Sequence, residues 1–328
     1  MRVLFLHDEI PPDARADVAD ALVQAEYIGG VLKRQGHDIL QLAFTADLSA
    51  TSAAIRDARP DVVFNLVESV GGQGRLLHFA TALLDSIGLP YTGNKTEPMF
   101  LTTGKLLAKR WMIAHGIDTP AWHDGKSLHG TPSGQRYIVK SVWEEASIGI
   151  DDSSIVSASD AATLAREIDR RSASLGGEAF AEEFIKGREF NLSLLTTGDA
   201  SGACELLPPA EIDFAGYAPG KPRIVGYAAK WHADSFEYQN TPRRFDFPQS
   251  DQPLIEQLGT IAKKCWQVFG LSGYARVDFR VDSHGRPWML EINANPCLSP
   301  DAGFMAAADR AGRSPETVID RIIKSSMI

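Results

Sequence analysis

What this 328-residue sequence has little of narrows the field first. Its three cysteines, Cys204, Cys265 and Cys297, are isolated and odd in number. They exclude a disulfide framework and point to reduced thiols in a cytoplasmic setting. No apolar run is long enough to cross a bilayer. The opening MRVLFLHDEIPP meets charge too soon for a secretory signal and reads as a first β-strand. Positive charge is in deficit, with 33 Lys and Arg against 42 Asp and Glu and a net charge of −9. A broad nucleic-acid-binding surface is therefore not expected, whereas a local basic cleft for a nucleotide stays compatible. The eight histidines are scattered, none paired at helical ligand spacing, which argues against zinc. What remains is 44% apolar and 23% charged, an ordinary globular composition on a chain long enough for two or three domains.

Along the chain, residues 1–92 alternate strand and helix patterns: strands at 2–6, 38–43 and 61–67, helices at 17–35, 53–58 and 78–87. Such alternation predicts an α/β unit with a parallel sheet covered by helices. The Gly-rich turn at 71–74 could cradle an anion or simply reverse the chain. Turn residues at 89–93 mark a boundary. A second unit, 93–180, holds a helix at 105–115 with Lys105 and Lys109 one turn apart, and a strand at 136–141 ending in Lys140. That strand leads into Glu144-Glu145-Ala146-Ser147-Ile148-Gly149, a pattern suited to phosphate, although a lysine ending a strand is usually just solvated. The third unit, 181–328, opens with an acidic strand running from Phe180 through Glu182 and Glu183 to Ile185. The segment 232–248 lacks apolar periodicity and reads as a lid or an irregular excursion. A helix at 253–269 precedes the most informative stretch, and one at 315–324 ends the chain.

That stretch, 273–298, reads as a β-hairpin with strands 275–281 and 287–293 around His284-Gly285. Counting outward from the turn places Asp278 opposite Glu291. Arg276, Asp278 and Arg280 share one face of the first strand, and Met289, Glu291 and Asn293 share one face of the second. Two carboxylates facing across a ladder repel. With the Asn293 amide beside them they form an all-oxygen set for a hard cation such as Mg²⁺, the alternative being a merely hydrated polar face.

These segments in this order resemble the ATP-grasp superfamily, and within it the D-alanine–D-alanine ligases, over nearly the whole chain and most specifically from Pro90 to Pro296. The segments that carry the likeness are Gly93 to Lys105, Val139-Lys140 with 146–149, Glu182 to Ile185 with Gly187-Arg188-Glu189, Ala229-Lys230, and the two hairpin strands. The resemblance implies a Rossmann-like domain followed by a two-lobed ATP-grasp fold, α+β in character. It implies ATP and two Mg²⁺ ions, with Mn²⁺ as a substitute. Lys105 and Lys140 would hold phosphates, and the loop from Ser147 to Gly149 would close over them. Glu182, Phe184 and Ile185 would meet adenine, and Glu189 the ribose. Asp278, Glu291 and Asn293 would hold the metals. Arg276, Lys230 and Ser147 would act at the reaction centre.

The implied reaction joins a small-molecule carboxylate, such as an amino acid, to an amine through an acyl phosphate. Negative charge builds in both steps, and paired cations with Arg276 would offset it in a dry cleft. The likeness also suggests a homodimer, with neither nucleic acid nor membrane as partner. The substrate end departs from the family: 7–13 lacks the usual glutamate after a Gly-rich turn, Val67-Glu68-Ser69-Val70 stands where a histidine is usual, Trp231 replaces tyrosine, and 299–304 lacks the Ser-Leu pair. Three readings follow: a carboxylate–amine ligase of other substrates, a true D-alanine–D-alanine ligase with a diverged donor site, or a silent nucleotide-binding protein.

Overall fold

The structure, a computed structural model, describes residues 1–132 and 134–328. The chain begins with β1 (Arg2–Asp8), α1 (Ala16–Arg34), β2 (Asp38–Phe44), α2 (Leu48–Ala58), β3 (Val62–Leu66) and α3 (His78–Ile87). The three strands form a parallel sheet in the order β2-β1-β3, as the alternation predicts. β1 is central, and Val3 to Leu6 are at most 1% exposed, which is why its apolar run is continuous rather than alternating. The Gly-rich turn is a tight reversal. Val70 and Gln73 exchange backbone hydrogen bonds, and Gly71 and Gly72 both take positive φ between them, a conformation that costs a Cβ-bearing residue.

Next come α4 (Thr96–Thr103), α5 (Lys105–Ala114), β4 (Trp122–His123), β5 (Leu128–His129), β6 (Arg136–Ser141), β7 (Ile155–Ser157), α6 (Ala161–Ser172) and β8 (Ala179–Glu183). The second sheet runs β5-β4-β8-β6-β7 with antiparallel pairings, and Leu164 and Ile168 of α6 pack with Tyr137, Val139 and Ala181 beneath it. The Asp160 carboxylate caps α6 by accepting from Thr163 N, satisfying one of the helix's free N–H groups.

The remainder comprises β9 (Gly187–Thr196), β10 (Cys204–Leu206), β11 (Ala210–Ile212), α7 (Tyr227–Trp231), α8 (Phe236–Gln239), β12 (Arg243–Arg244), α9 (Gln252–Val268), β13 (Tyr274–Asp282), β14 (Pro287–Asn293), α10 (Gly303–Arg310) and α11 (Pro315–Ser326). The third sheet is ordered β12-β11-β9-β13-β14, with β10 also on β9. Close approach fixes its centre: a Cβ on Gly187 would lie 1.9 Å from the Val281 carbonyl oxygen, so only glycine fits there.

Two packing facts bear on the expected division of the chain. Met99, Met112 and Ile117, from α4 to just beyond α5, share a core with Phe190, Leu192, Val277 and Phe279, so the start of the 93–180 stretch packs under the third sheet. The cut at 180/181 falls inside β8, which runs on to Glu183 and pairs with β6. At the other end, Val318, Ile319, Ile322 and Ile323 of α11 pack with Phe5, Ile28 and Val31, so the end of the chain closes the first sheet.

In the hairpin Asp278 does pair with Glu291, and Arg276 with Asn293. Nearer the turn the register shifts by one, with Phe279 opposite Met289. A β-bulge at Leu290 breaks the alternation. Met289, expected beside Glu291, instead points into the core at 1% exposed, and Leu290 lines the cleft with Glu291. The segment 232–248 is likewise more ordered than its composition suggests: it contains α8, and Arg243 and Arg244 pair with Ile212 and Glu211 of β11.

Candidate active site

A cleft of about 460 Å³ lies between β6 and β8 of the second sheet and β9, β13 and β14 of the third, with Asp20 and Glu68 of the first unit at one end. It brings together Lys105, Lys140, Ser147, Glu182, Phe184, Ile185, Glu189, Lys230, Arg276, Asp278, Glu291 and Asn293. Gly149 is the exception. Its α-carbon faces Leu175, where a Cβ would sit 2.5 Å from Cδ2. Its contribution is the positive φ of the loop rather than contact with the cleft.

The loop from 144 to 150 is strained for a purpose. Ala146 and Ser147, neither of them glycine, take φ of 57° and 59°, a conformation disfavoured for L-residues and held only by its surroundings. Those surroundings are the segment leading into α7 and the last residue of that helix: Ser147 Oγ donates to the Val225 carbonyl at 2.9 Å, and Trp231 Nε1 donates to the Ala146 carbonyl at 3.1 Å. The two residues are the centre of a tight turn closed by Ile148 N donating to the Glu145 carbonyl at 3.2 Å. Tyr227 Oη also donates to Asp17 Oδ1 at 2.8 Å, tying α7 to the start of α1.

Next to this loop lies a chain of buried charges. Glu182, 1% exposed, forms an ion pair with Lys109 Nζ at 2.5 Å and accepts a hydrogen bond from Lys140 Nζ at 2.7 Å. Lys109, also 1% exposed, donates further to Thr119 Oγ1 at 2.6 Å. Two cations on one carboxylate leave one net positive charge, and of the two lysines only Lys140 reaches the cleft. Burial works against the Glu182 charge, but the two lysines prevail and hold its carboxyl below the usual range. Lys105 Nζ donates to the Glu144 carbonyl at 2.9 Å, meets Glu145 Oε1 at 3.3 Å and approaches Glu291 Oε2 to 3.9 Å.

On the hairpin wall, Arg276 grips Asp278 bidentately at 2.8 and 2.9 Å, and Asn191 Nδ2 donates to the same carboxylate at 2.8 Å. Burial opposes ionisation of Glu291, yet Lys105, Lys140, Lys230 and Arg276 around it hold its carboxyl down at about 2. Burial pushes the Lys230 ammonium the other way, toward neutrality, with Arg276 adding to it.

Among the described residues no cluster of three or more His, Cys, Asp or Glu side chains stands ready for a metal ion. The set here is two carboxylates and an amide oxygen on adjacent strands. That suits Mg²⁺, which is held by one or two carboxylates and keeps the rest of its shell for water and substrate phosphates. Glu291, kept ionised by its cationic neighbours, fits such a ligand. Zinc would ask for nitrogen or sulfur donors, which the wall lacks.

At the other end of the cleft, Glu189 pairs with Arg280 at 2.8 Å, and the guanidinium groups of Arg136 and Arg280 stand 5.0 and 5.5 Å from the ring centre of Phe184. Sequence reasoning passed over the roles of Lys109, Asn191 and Arg280. Their signal was faint: a lysine on an apolar helix face and polar residues at alternate strand positions.

Comparison with known proteins decides what this cleft belongs to. The D-ala D-ala ligase C-terminus family model matches residues 132–324. D-alanine–D-alanine ligase of Bordetella petrii is 31% identical over 271 residues, 80% of this chain and 75% of that protein. The chain belongs to the D-alanine–D-alanine ligase family. Members of this family are ATP-grasp ligases that form C–N bonds at the expense of ATP. A second relative, the uncharacterised protein y4sG of Sinorhizobium fredii, is 28% identical over 320 residues, 95% of this chain and 88% of its own length. The fold is that of a solved D-alanine–D-alanine ligase from Bacillus anthracis complexed with ATP, with a TM-score of 0.73 at 19% identity over 100% of this chain and 97% of that one. No helix among the described residues is long and apolar enough to cross a membrane.

Proposed function

We propose that this chain condenses two amino-acid-like substrates, a carboxylate and an amine, through an acyl phosphate, releasing ADP and phosphate. The observation that carries the reading is the facing pair Asp278 and Glu291 with Arg276 gripping the former, in one cleft with Lys105, Lys140 and the strained 146–149 loop. A carboxylate and an amine do not condense in neutral water, so activation must come first. A carboxylate oxygen attacks the γ-phosphorus of ATP, the bond to the β-phosphate breaks, and ADP leaves. A neutral amine then adds to the acyl carbon. The tetrahedral oxyanion collapses, phosphate departs with the former carboxylate oxygen, and the amine loses a proton.

Each group has a task in that sequence. Lys105 and Lys140 bind phosphate oxygens, and the N–H groups of the loop around Ser147 receive the transferred phosphoryl group. Arg276 stabilises the oxyanion and Lys230 the reacting carboxylate, in a site where the exclusion of water strengthens electrostatic interactions. Asp278, Glu291 and Asn293 would hold Mg²⁺, or Mn²⁺ in its place, which would neutralise charge on the phosphates. Glu182 and the backbone of Phe184 and Ile185 meet adenine, and Glu189 the ribose. Water must be kept from the acyl phosphate, and the 232–248 segment with α8 covers the cleft for that purpose.

D-alanine is the substrate named in the relatives. In this chain the substrate end is built from Asp20, Glu68, Trp231, Cys297 and Asp301, so the acid and amine are sought among amino acids at large, D-alanine included. The test is a matrix of amino-acid pairs with ATP and Mg²⁺, read by coupled ADP release and product mass. ADP release that needs both partners, with a product equal to their sum less water, is expected. ATP binding without turnover across the matrix and with cell extract would leave a silent nucleotide-binding protein instead.

A further inference from the structure

Arg243 and Arg244 are consecutive on β12, so their side chains leave on opposite faces. Arg244 donates to the Glu211 carboxylate, which also takes a bidentate grip from Arg188 at 2.7 Å. Arg243 faces the other way and lines the cleft. Its Nη1 donates at 3.0 Å to the backbone carbonyl of Asp301, not to a carboxylate, and among the described residues it makes no ion pair. Room has been left for it: a Cβ on Gly303 would stand 3.1 Å from Arg243 Nε.

A guanidinium presents donors in a planar fork that matches a carboxylate. Here one is brought to a cleft that already holds Arg276, whose charge Asp278 answers in a bidentate ion pair, while Asp301 meets Arg243 with its backbone carbonyl and answers its charge only at longer range. Its side chain is open to solvent, so a substrate carboxylate can reach it.

We infer that Arg243 is a specificity residue that binds a free carboxylate on the amine substrate. The inference rests on the ligase reading. The phosphates belong to Lys105, Lys140 and the 146–149 loop. The carboxylate of the acid substrate is consumed when it is phosphorylated. When two amino acids are joined, only the amine partner keeps its carboxylate through the reaction, and Arg243 answers that charge. An amine without one leaves the guanidinium unpaired in the cleft, and discrimination of roughly 10–100-fold against it follows.

The experiment compares each amino acid found active as the amine with its own carboxamide, in wild type, Arg243→Gln and Arg243→Lys, with ATP affinity and unfolding midpoint confirming that the variants fold. In wild type kcat/KM favours the amino acid over the amide by at least about 10-fold. Arg243→Gln collapses that preference, chiefly through the KM of the amino acid, and Arg243→Lys restores part of it. An equal wild-type preference for amide and amino acid would overturn the inference. So would an Arg243→Gln defect of the same size on both, the mark of an arginine that only props the 299–303 turn. ADP release that never depends on an amine would refute the ligase reading itself, a different outcome from either.

Discussion

Replacing Glu182 by glutamine keeps the shape of the side chain and removes one charge from between two buried ammonium groups. In the wild type the carboxylate is 1% exposed and meets Lys109 Nζ at 2.5 Å and Lys140 Nζ at 2.7 Å. Taking one partner out of a buried ion pair costs about 3–5 kcal/mol, because the other charge stays buried. Lys140, with 18% of its side chain exposed, can swing into the cleft and regain water. Lys109 has no such route. The loss therefore falls on one lysine, toward the lower end, near 3 kcal/mol. Urea unfolding of the nucleotide-free protein reads this as a lower midpoint at unchanged slope. Lys109→Met removes the stranded cation, so the double variant Glu182→Gln/Lys109→Met recovers part of the loss, with a coupling of about 2 kcal/mol. The pH dependence has a fixed sign. The Glu182 carboxyl is held below its ordinary 4.5, so its contribution is complete above that pH and fades as pH falls below it. A Glu182→Gln midpoint within about 1 kcal/mol of wild type would refute the claim that the triad is a buried, mutually dependent ion cluster.

Three further outcomes follow from the same structure. Burial, with Asp8 and Asp20 adding to it, lifts the Glu68 carboxyl to about 8. The folded protein then holds a proton that the unfolded chain releases above 4.5, so stability contributed at this site declines as pH rises from about 5 to 8. Glu68→Gln flattens that slope in unfolding midpoints taken across the range, and an unchanged slope would contradict the assignment. Gly187→Ala drives a Cβ into the Val281 carbonyl and should cost about 3 kcal/mol or more, or prevent soluble expression; near-normal stability would mean that β9 and β13 approach less closely. Lys140→Ala weakens ATP binding by roughly 10-fold in calorimetry, as loss of one charge-assisted contact implies, and an unchanged affinity would remove the phosphate role.

Much of this molecule could be read from its sequence because its signals were local. The Asp278–Glu291 pairing came from counting outward from a turn, and the parallel sheet from strand–helix alternation. The errors have local causes too. A single bulge at Leu290 reversed the facing of Met289, since a period of two cannot survive one extra residue. α4 carries no apolar stripe because Pro98, Met99, Leu101, Thr102 and Thr103 are buried together, so its periodicity is silent. β4, β5, β10, β11 and β12 are two or three residues each, too short for any alternation. At the site, Lys105 and Lys140 were picked out by their place in the chain, and both line the cleft. The dependence of Lys140 on Lys109 through Glu182 spans three separate elements, and only the fold brings them together.

The central claim, that the carboxylate is activated as an acyl phosphate, is tested most directly by oxygen transfer. An acid substrate labelled with ¹⁸O in both carboxylate oxygens is turned over with ATP and its amine, and the released phosphate is weighed by mass spectrometry. The account predicts that one labelled oxygen leaves with each phosphate and one stays in the amide, with ADP as the nucleotide product, and that Glu291→Gln abolishes this transfer. Unlabelled phosphate, or label leaving with AMP, would contradict it.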